Sequence, residues 1–181
     1  LDSPAGRVGL VACASSFGKS AQAAASRPDI GGRPGISPMR YETEYVLDAQ
    51  RLAAIQDIDE ALGTDAATRR MREWVPEKNP DAYRYLDRYY VEGDTPRVST
   101  SPKESDLEDI ASWISEARRQ SDLVVVTIHA HEGKDGDSNT QYGADFIEPM
   151  ARHWIDAGAD VFVGHGPHTL RGLEIYKGKP I

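Results

Sequence analysis

Two short apolar strands, each running directly into histidine, constrain this chain more than any other feature. The segment DLVVVTIHAHEG ends its apolar run at His129, and GADVFVGHGPH ends its run just before His165. Between them Ile147, Met150, Ala151 and Trp154 recur at helical spacing, with Pro149 in the first turn and Gly158 placed to stop the helix. Strand, helix and strand in this order specify a parallel pair, and the apolar, β-branched run from Asp122 to Ile128 suits a central strand covered on both faces. A parallel pair puts both strand ends on one edge of the sheet, where α/β proteins gather their chemistry. Four of the five histidines lie at those two ends.

Neighbouring strands place their ends about 5 Å apart. His129 and His165 can then share one metal or serve two adjacent ones, since neutral imidazole is the commonest protein ligand for transition metals. Gly164 and Gly166 let the backbone approach a site, and Pro167 restricts it, so GHGPH reads as a stiff turn offering His165 and His168. His131 and Glu132, with Asp135 and Asp137 nearby, are further candidate ligands or proton-transfer groups. The following DGDSN lacks the spacing and terminal Glu of a calcium loop, so an ordinary acidic loop is expected. His153 falls on the outer helix face, where solvent is expected around it.

Upstream, Arg7–Ser15 reads as a buried strand, Ser16–Met39 as a long Gly/Pro-rich loop, and Arg40–Leu47 as an alternating strand. Asp48 caps a helix that carries Leu52, Ile55, Ile58 and Leu62 toward Gly63. Thr64–Pro80 reads as one short charged helix, and Tyr83–Val91 as an edge or hairpin strand. Ser105 and Glu108 have capping-box spacing ahead of a helix with Leu107, Ile110, Ala111 and Ile114 on one face.

The net charge of −8 argues against a phosphate-tracking nucleic-acid binder, and no apolar run reaches the length of a membrane span. Cys13 is the only cysteine, so no internal disulfide forms, and a small buried hydrophobe is expected there. Arg33 and Arg40 flank RPGISPMR and are candidate contacts for an anionic substrate. The chain opens at Leu1 rather than Met and closes on GKPI, which suggests a segment of a longer protein.

The segments VVVTIHAHEG and WIDAGADVFVGHGPHTLRGLEIYKGKPI resemble the capsule-synthesis CapA family, named also for poly-γ-glutamate biosynthesis. The family pattern is a strand ending in His, often HWGxE, then a helix, AGADxVxGHHPH and an ExYKGKPI hairpin. The resemblance is dense from Asp122 onward and looser at GRVGLVACAS and RPGISPMR. It implies a layered α/β metallophosphatase-like fold with a central, largely parallel sheet flanked by helices. Residues 1–181 would form one partial domain, incomplete at the N-terminus.

The resemblance also implies roles. His129 matches the isolated ligand histidine, and His165 and His168 match the outer histidines of GHHPH. Gly166 replaces the middle one, and Glu132 stands one residue closer to His129 than the Glu of HWGxE. The family's Asn-Leu-Glu and Asn-Asn-His-x-x-x-Asp motifs do not occur here, so this chain is expected to hold part of a metal site and to bind metal weakly. One or two divalent ions, Mn, Fe or Zn, would activate water, with His131 or Glu132 as general acid or base. An anionic polymer or phosphoester substrate, capsule-synthesis machinery as partner and the bacterial cell envelope as location follow from the family. Two other readings stand beside it: a non-catalytic capsule or polyglutamate assembly or export factor that keeps the fold, and a generic α/β binding domain.

Overall fold

The computed structural model describes residues 1–64 and 81–181. The helix expected over Thr64–Pro80 lies outside the described residues, apart from Thr64 itself. The described chain divides into two compact units, Leu1–Glu42 with Ser101–Ile181, and Thr43–Thr100. Its architecture is mixed α/β, and among the described residues no helix is long and apolar enough to cross a membrane.

The first unit is built on a four-stranded sheet. Strand β1 (Asp2–Ser3) runs antiparallel to β2 (Gly6–Ala14). The longer strands are all parallel: β2 pairs with the later strand Leu123–His129, which pairs in turn with Val161–His165. Helix Glu104–Gln120 precedes the first of these strands, and helix Ile147–Asp156 links the two. Both helices bury their apolar stripes against one face of the sheet. Val124, Val126, Ile128 and Phe162 come from that face; Leu107, Ile110, Ile114, Met150 and Trp154 come from the helices. Trp154 is fully buried and its indole N–H donates to the Leu107 carbonyl at 3.2 Å, so its bulk is added without an unsatisfied donor. The strand, helix and strand expected at the C-terminal end are therefore present and parallel.

The expectation of two covered faces is corrected. Leu10 is 58% exposed, Leu123 40% and Val163 43%, and register places them on the face opposite Val126. Both helices of this unit lie on the same side, so the second face has no covering layer among the described residues. For the same reason β2 is only half-buried rather than the buried strand its composition suggests.

The loop after β2 is a folded excursion. It carries a 3-10 turn at Lys19–Ala21 and bridges Gln22 to Ile36 and Ala14 to Pro38, and it ends on Met39, which is fully buried. The capping box at Ser105 is not made. Helix Glu104–Gln120 starts after Lys103 without a side-chain cap, and Ser105 lies inside the first turn, donating to Asp106. Asp106 is instead taken by Arg40, whose Nε and Nη2 each donate at 2.6 Å while its backbone N–H donates at 3.0 Å. His153 is half-buried rather than solvated, with Nε2 3.1 Å from Glu108 Oε1 but not aligned for a hydrogen bond.

Among the described residues the second unit has a four-stranded sheet and helix 49–62. β3 (Tyr41–Leu47) leads through the Asp48 cap, which accepts from the Arg51 N–H, into α1 (Ala49–Leu62), and Gly63 closes the helix in the left-handed region. Its inner residues are Leu52, Ile55 and buried Asp59, whereas Ile58 and Leu62 are exposed. The expected Tyr-rich strand is a hairpin, β4 (Tyr83–Tyr85) with β5 (Arg88–Glu92). The fourth strand, β6 (Arg97–Pro102), was not foreseen. In chain order the remaining elements are α2 (Glu104–Gln120), β7 (Leu123–His129), α3 (Ile147–Asp156), β8 (Val161–His165), β9 (Ile175–Tyr176) and β10 (Lys179–Pro180). The last two form the GKPI hairpin, with Lys177 and Gly178 both at positive φ in its two-residue turn.

Candidate functional site

Parallel register delivers the histidines. Ala14, His129 and His165 are direct neighbours across β2, β7 and β8, so the last residues of the two histidine strands stand side by side. Their Nδ1 atoms are 3.4 Å apart. His131 follows on the turn after β7, and the rings form a chain: His165 to His129 at 5.2 Å, His129 to His131 at 4.8 Å, and His131 to His168 at 5.5 Å. All four strand-end histidines therefore gather at one edge of the sheet. Gly166 makes this possible. Its φ is +118°, and a Cβ there would stand 3.2 Å from the Ala130 nitrogen and 3.3 Å from the His129 ring.

Two nitrogens 3.4 Å apart fit one metal. Metal–nitrogen bonds of about 2.0–2.1 Å in tetrahedral geometry put adjacent ligand nitrogens about 3.3–3.4 Å apart. His129 and His165 thus offer one edge of a coordination shell. The pKa of His129 is lowered, first by burial and then by the neighbouring His131 and His165, with Glu132 opposing. That favours the neutral form a metal needs. Among the described residues no group of three or more His, Cys, Asp or Glu converges tightly enough to hold an ion.

Glu132 is the centre of a hydrogen-bonded brace. Ser15 Oγ donates to Oε2 at 2.6 Å and Ser16 Oγ to Oε1 at 2.8 Å. Ser16 Oγ in turn accepts from the His131 backbone N–H at 2.7 Å. Tyr41 stands beside this brace; its pKa is raised by burial first, then by the neighbouring Glu132 carboxylate. On the other side of the turn Arg171 donates to the carbonyls of Ala130 (3.4 Å), His131 (3.2 Å) and Thr140 (3.1 Å). Burial lowers the Arg171 pKa and Glu132 opposes this. The His131 ring is held separately, its Nδ1 2.7 Å from Asn139 Oδ1.

Arg33 and Arg40 both have protein acceptors, Arg33 on the Gln22 carbonyl at 2.7 Å and Arg40 on Asp106. Burial pushes the Asp106 carboxyl up, but the bonds and charge of Arg40 outweigh it and hold the pKa below the usual carboxylate range. Asp135 and Asp137 lie exposed on the loop beyond. Cys13 is buried, which pushes its thiol up to about 12 and keeps it inert. The residues that sequence reasoning missed are Ser15, Ser16, Tyr41, Asn139 and Arg171. Only the two serines carried a signal, since they follow the apolar run of β2 as the histidines follow those of β7 and β8.

Comparison with known proteins agrees in one direction. The profile of the family described as "Bacterial capsule synthesis protein PGA_cap" matches residues 2–181. The uncharacterized protein y4sH of Sinorhizobium fredii (strain NBRC 101917 / NGR234) is 34% identical over 181 residues, covering 100% of this chain and 37% of that protein. The PGA biosynthesis protein CapA of Bacillus subtilis (strain 168) is 42% identical over 77 residues, 42% of this chain and 19% of that protein. The capsule biosynthesis protein CapA of Bacillus anthracis is 35% identical over 71 residues, 39% of this chain and 16% of that protein. The chain spans little more than a third of the length of the Sinorhizobium relative it matches from end to end.

Proposed function

The chain belongs to the bacterial capsule synthesis protein family, and from that premise we propose that its histidine-bearing strand ends form one side of the metal centre of a hydrolase. The substrate class is an anionic envelope polymer of the polyglutamate kind or a phosphoester. The observation that carries this reading is the pair of imidazole nitrogens 3.4 Å apart at the C-terminal ends of adjacent parallel strands. One or two ions of Mn, Fe or Zn held there would lower the pKa of a bound water and so supply hydroxide as nucleophile.

In this reading His129 and His165 are the paired ligands, and His168 joins them from the Pro167 turn. His131 or Glu132 moves the proton. Arg33 and Arg40 contact the anionic substrate with the N–H groups that Gln22 and Asp106 leave open. The capsule-synthesis machinery is the partner that the family membership suggests.

A second reading keeps the fold and drops the reaction: an assembly or export factor in capsule or polyglutamate synthesis. It is favoured by the donor set, which stops short of three converging ligands among the described residues.

Calorimetric titration with Zn²⁺ and with Mn²⁺, on wild type and on His129→Ala and His165→Ala, separates the two. The hydrolase reading expects metal binding in wild type and at least a tenfold loss in each variant, because removing even an outer-shell partner costs about 10–100-fold. Turnover of a phosphoester or a polyglutamate chain should disappear with it. Turnover that survives His165→Ala sinks the metal-centre reading, and wild type with neither metal binding nor turnover leaves the assembly reading.

A further inference from the structure

The turn after β7 orients one ring nitrogen of His131 in a way that the sequence did not suggest. His131 Nδ1 lies 2.7 Å from Asn139 Oδ1. A carboxamide oxygen only accepts hydrogen bonds, so the ring hydrogen that makes this contact sits on Nδ1. In the neutral ring Nε2 is then unprotonated and carries the free lone pair. We infer that Asn139 is a positioning residue that holds His131 in this tautomer and so gives the cluster a nitrogen base.

Three observations make the arrangement a built one. Asn139 has φ +60°, in the left-handed region that Asn tolerates better than most residues, so the backbone is held where its amide reaches the ring. Its own N–H donates to the His131 carbonyl at 3.2 Å, which fastens the loop on both sides of the side-chain contact. Arg171 Nη2 donates to the same carbonyl at 3.2 Å, and Ser16 accepts from the His131 N–H at 2.7 Å, so both main-chain polar groups of His131 are satisfied. A rigid backbone and one anchored ring nitrogen leave the imidazole little freedom.

The inference deepens the hydrolase reading and rests on it only for its consequence. It leaves the His131 Nε2 lone pair open at the cluster, whereas both Glu132 oxygens already accept from Ser15 and Ser16.

The test is long-range ¹⁵N–¹H NMR of the histidine rings in the metal-free protein, at a pH about two units above the ordinary histidine value. Wild type should show His131 with an unprotonated Nε2. Asn139→Gly preserves the left-handed backbone while removing the acceptor, and should lose that signature. Asn139→Asp keeps an acceptor and should retain it. An Nε2–H signal in wild type, or a tautomer unchanged in Asn139→Gly, overturns the inference. A Zn²⁺ titration of the same samples isolates the larger reading: the predicted tautomer with no metal binding would sink the hydrolase and leave the role of Asn139 standing.

Discussion

The end of β7 carries His129 and His131 in half-buried positions tied to Ser15, Ser16, Asn139 and Arg171, whereas the end of β8 carries His165 and His168 exposed. The contrast follows from position in the sheet. β7 lies between β2 and β8, so its end receives side chains from β2 on one side and from the loop after β8 on the other. β8 pairs with β7 alone in that sheet. A central strand end can therefore be pre-organised, while the outer one presents its rings to whatever approaches. That division suits a site in which one half is rigid and the other half meets a ligand.

The strongest way to break this comparison is to remove Glu132. Glu132→Ala strips the acceptor from the two serine hydroxyls, and urea denaturation should show a loss of about 2–3 kcal/mol, the cost of leaving such groups unsatisfied. His168→Ala should cost less than about 0.5 kcal/mol, as exposed positions do. Equal losses in the two variants would erase the distinction between the strand ends.

Gly166→Ala attacks the junction between them. A positive φ and a Cβ 3.3 Å from the His129 ring should cost about 1–3 kcal/mol. The same change should weaken Zn²⁺ binding by forcing the His129 and His165 nitrogens off their 3.4 Å separation. Unchanged affinity would detach Gly166 from the site.

Acid sharpens the picture at smaller scale. His129 has a lowered pKa, so the unfolded chain takes up its proton first, and stability falls as pH drops below about 6.5, the unfolded value. NMR titration should find His129 below that value. Asp106 is also lowered, so its contribution is complete above about 3.9 and fades as pH falls through its folded pKa. Arg40→Ala should remove that second acid step from the stability profile and leave the first. A profile that keeps both steps in Arg40→Ala would refute the assignment.

Much of this arrangement is written locally. The 3.6-residue stripe of Ile147, Met150, Ala151 and Trp154, the unbroken apolar run of β7, the Asp48 cap and the Gly63 stop are each short-range patterns, and each formed the element its pattern specifies. Because the C-terminal strands are parallel, the placement of four histidines at one sheet edge followed from the same patterns. Local reading failed where competition between partners decides. Ser105 had capping-box spacing, but Asp106 beside it was claimed by Arg40, 66 residues away.

Only the tertiary structure decided what surrounds the histidines. Ser15 and Glu132 are 117 residues apart, and Arg171 reaches His131 across 40. No periodicity encodes such pairs, because a hydrogen bond depends on where two chain segments arrive, and that is set by strand order. The same holds for the covered and open faces of the sheet. The apolar residues of β7 suit burial on either side, and it was the packing of α2 and α3 onto one face that buried Val124, Val126 and Ile128 and left Leu123 exposed. The sequence by itself determined which residues form strands and helices and which strand ends carry imidazoles; the fold determined which imidazole is braced, by what, and at what separation from its neighbour.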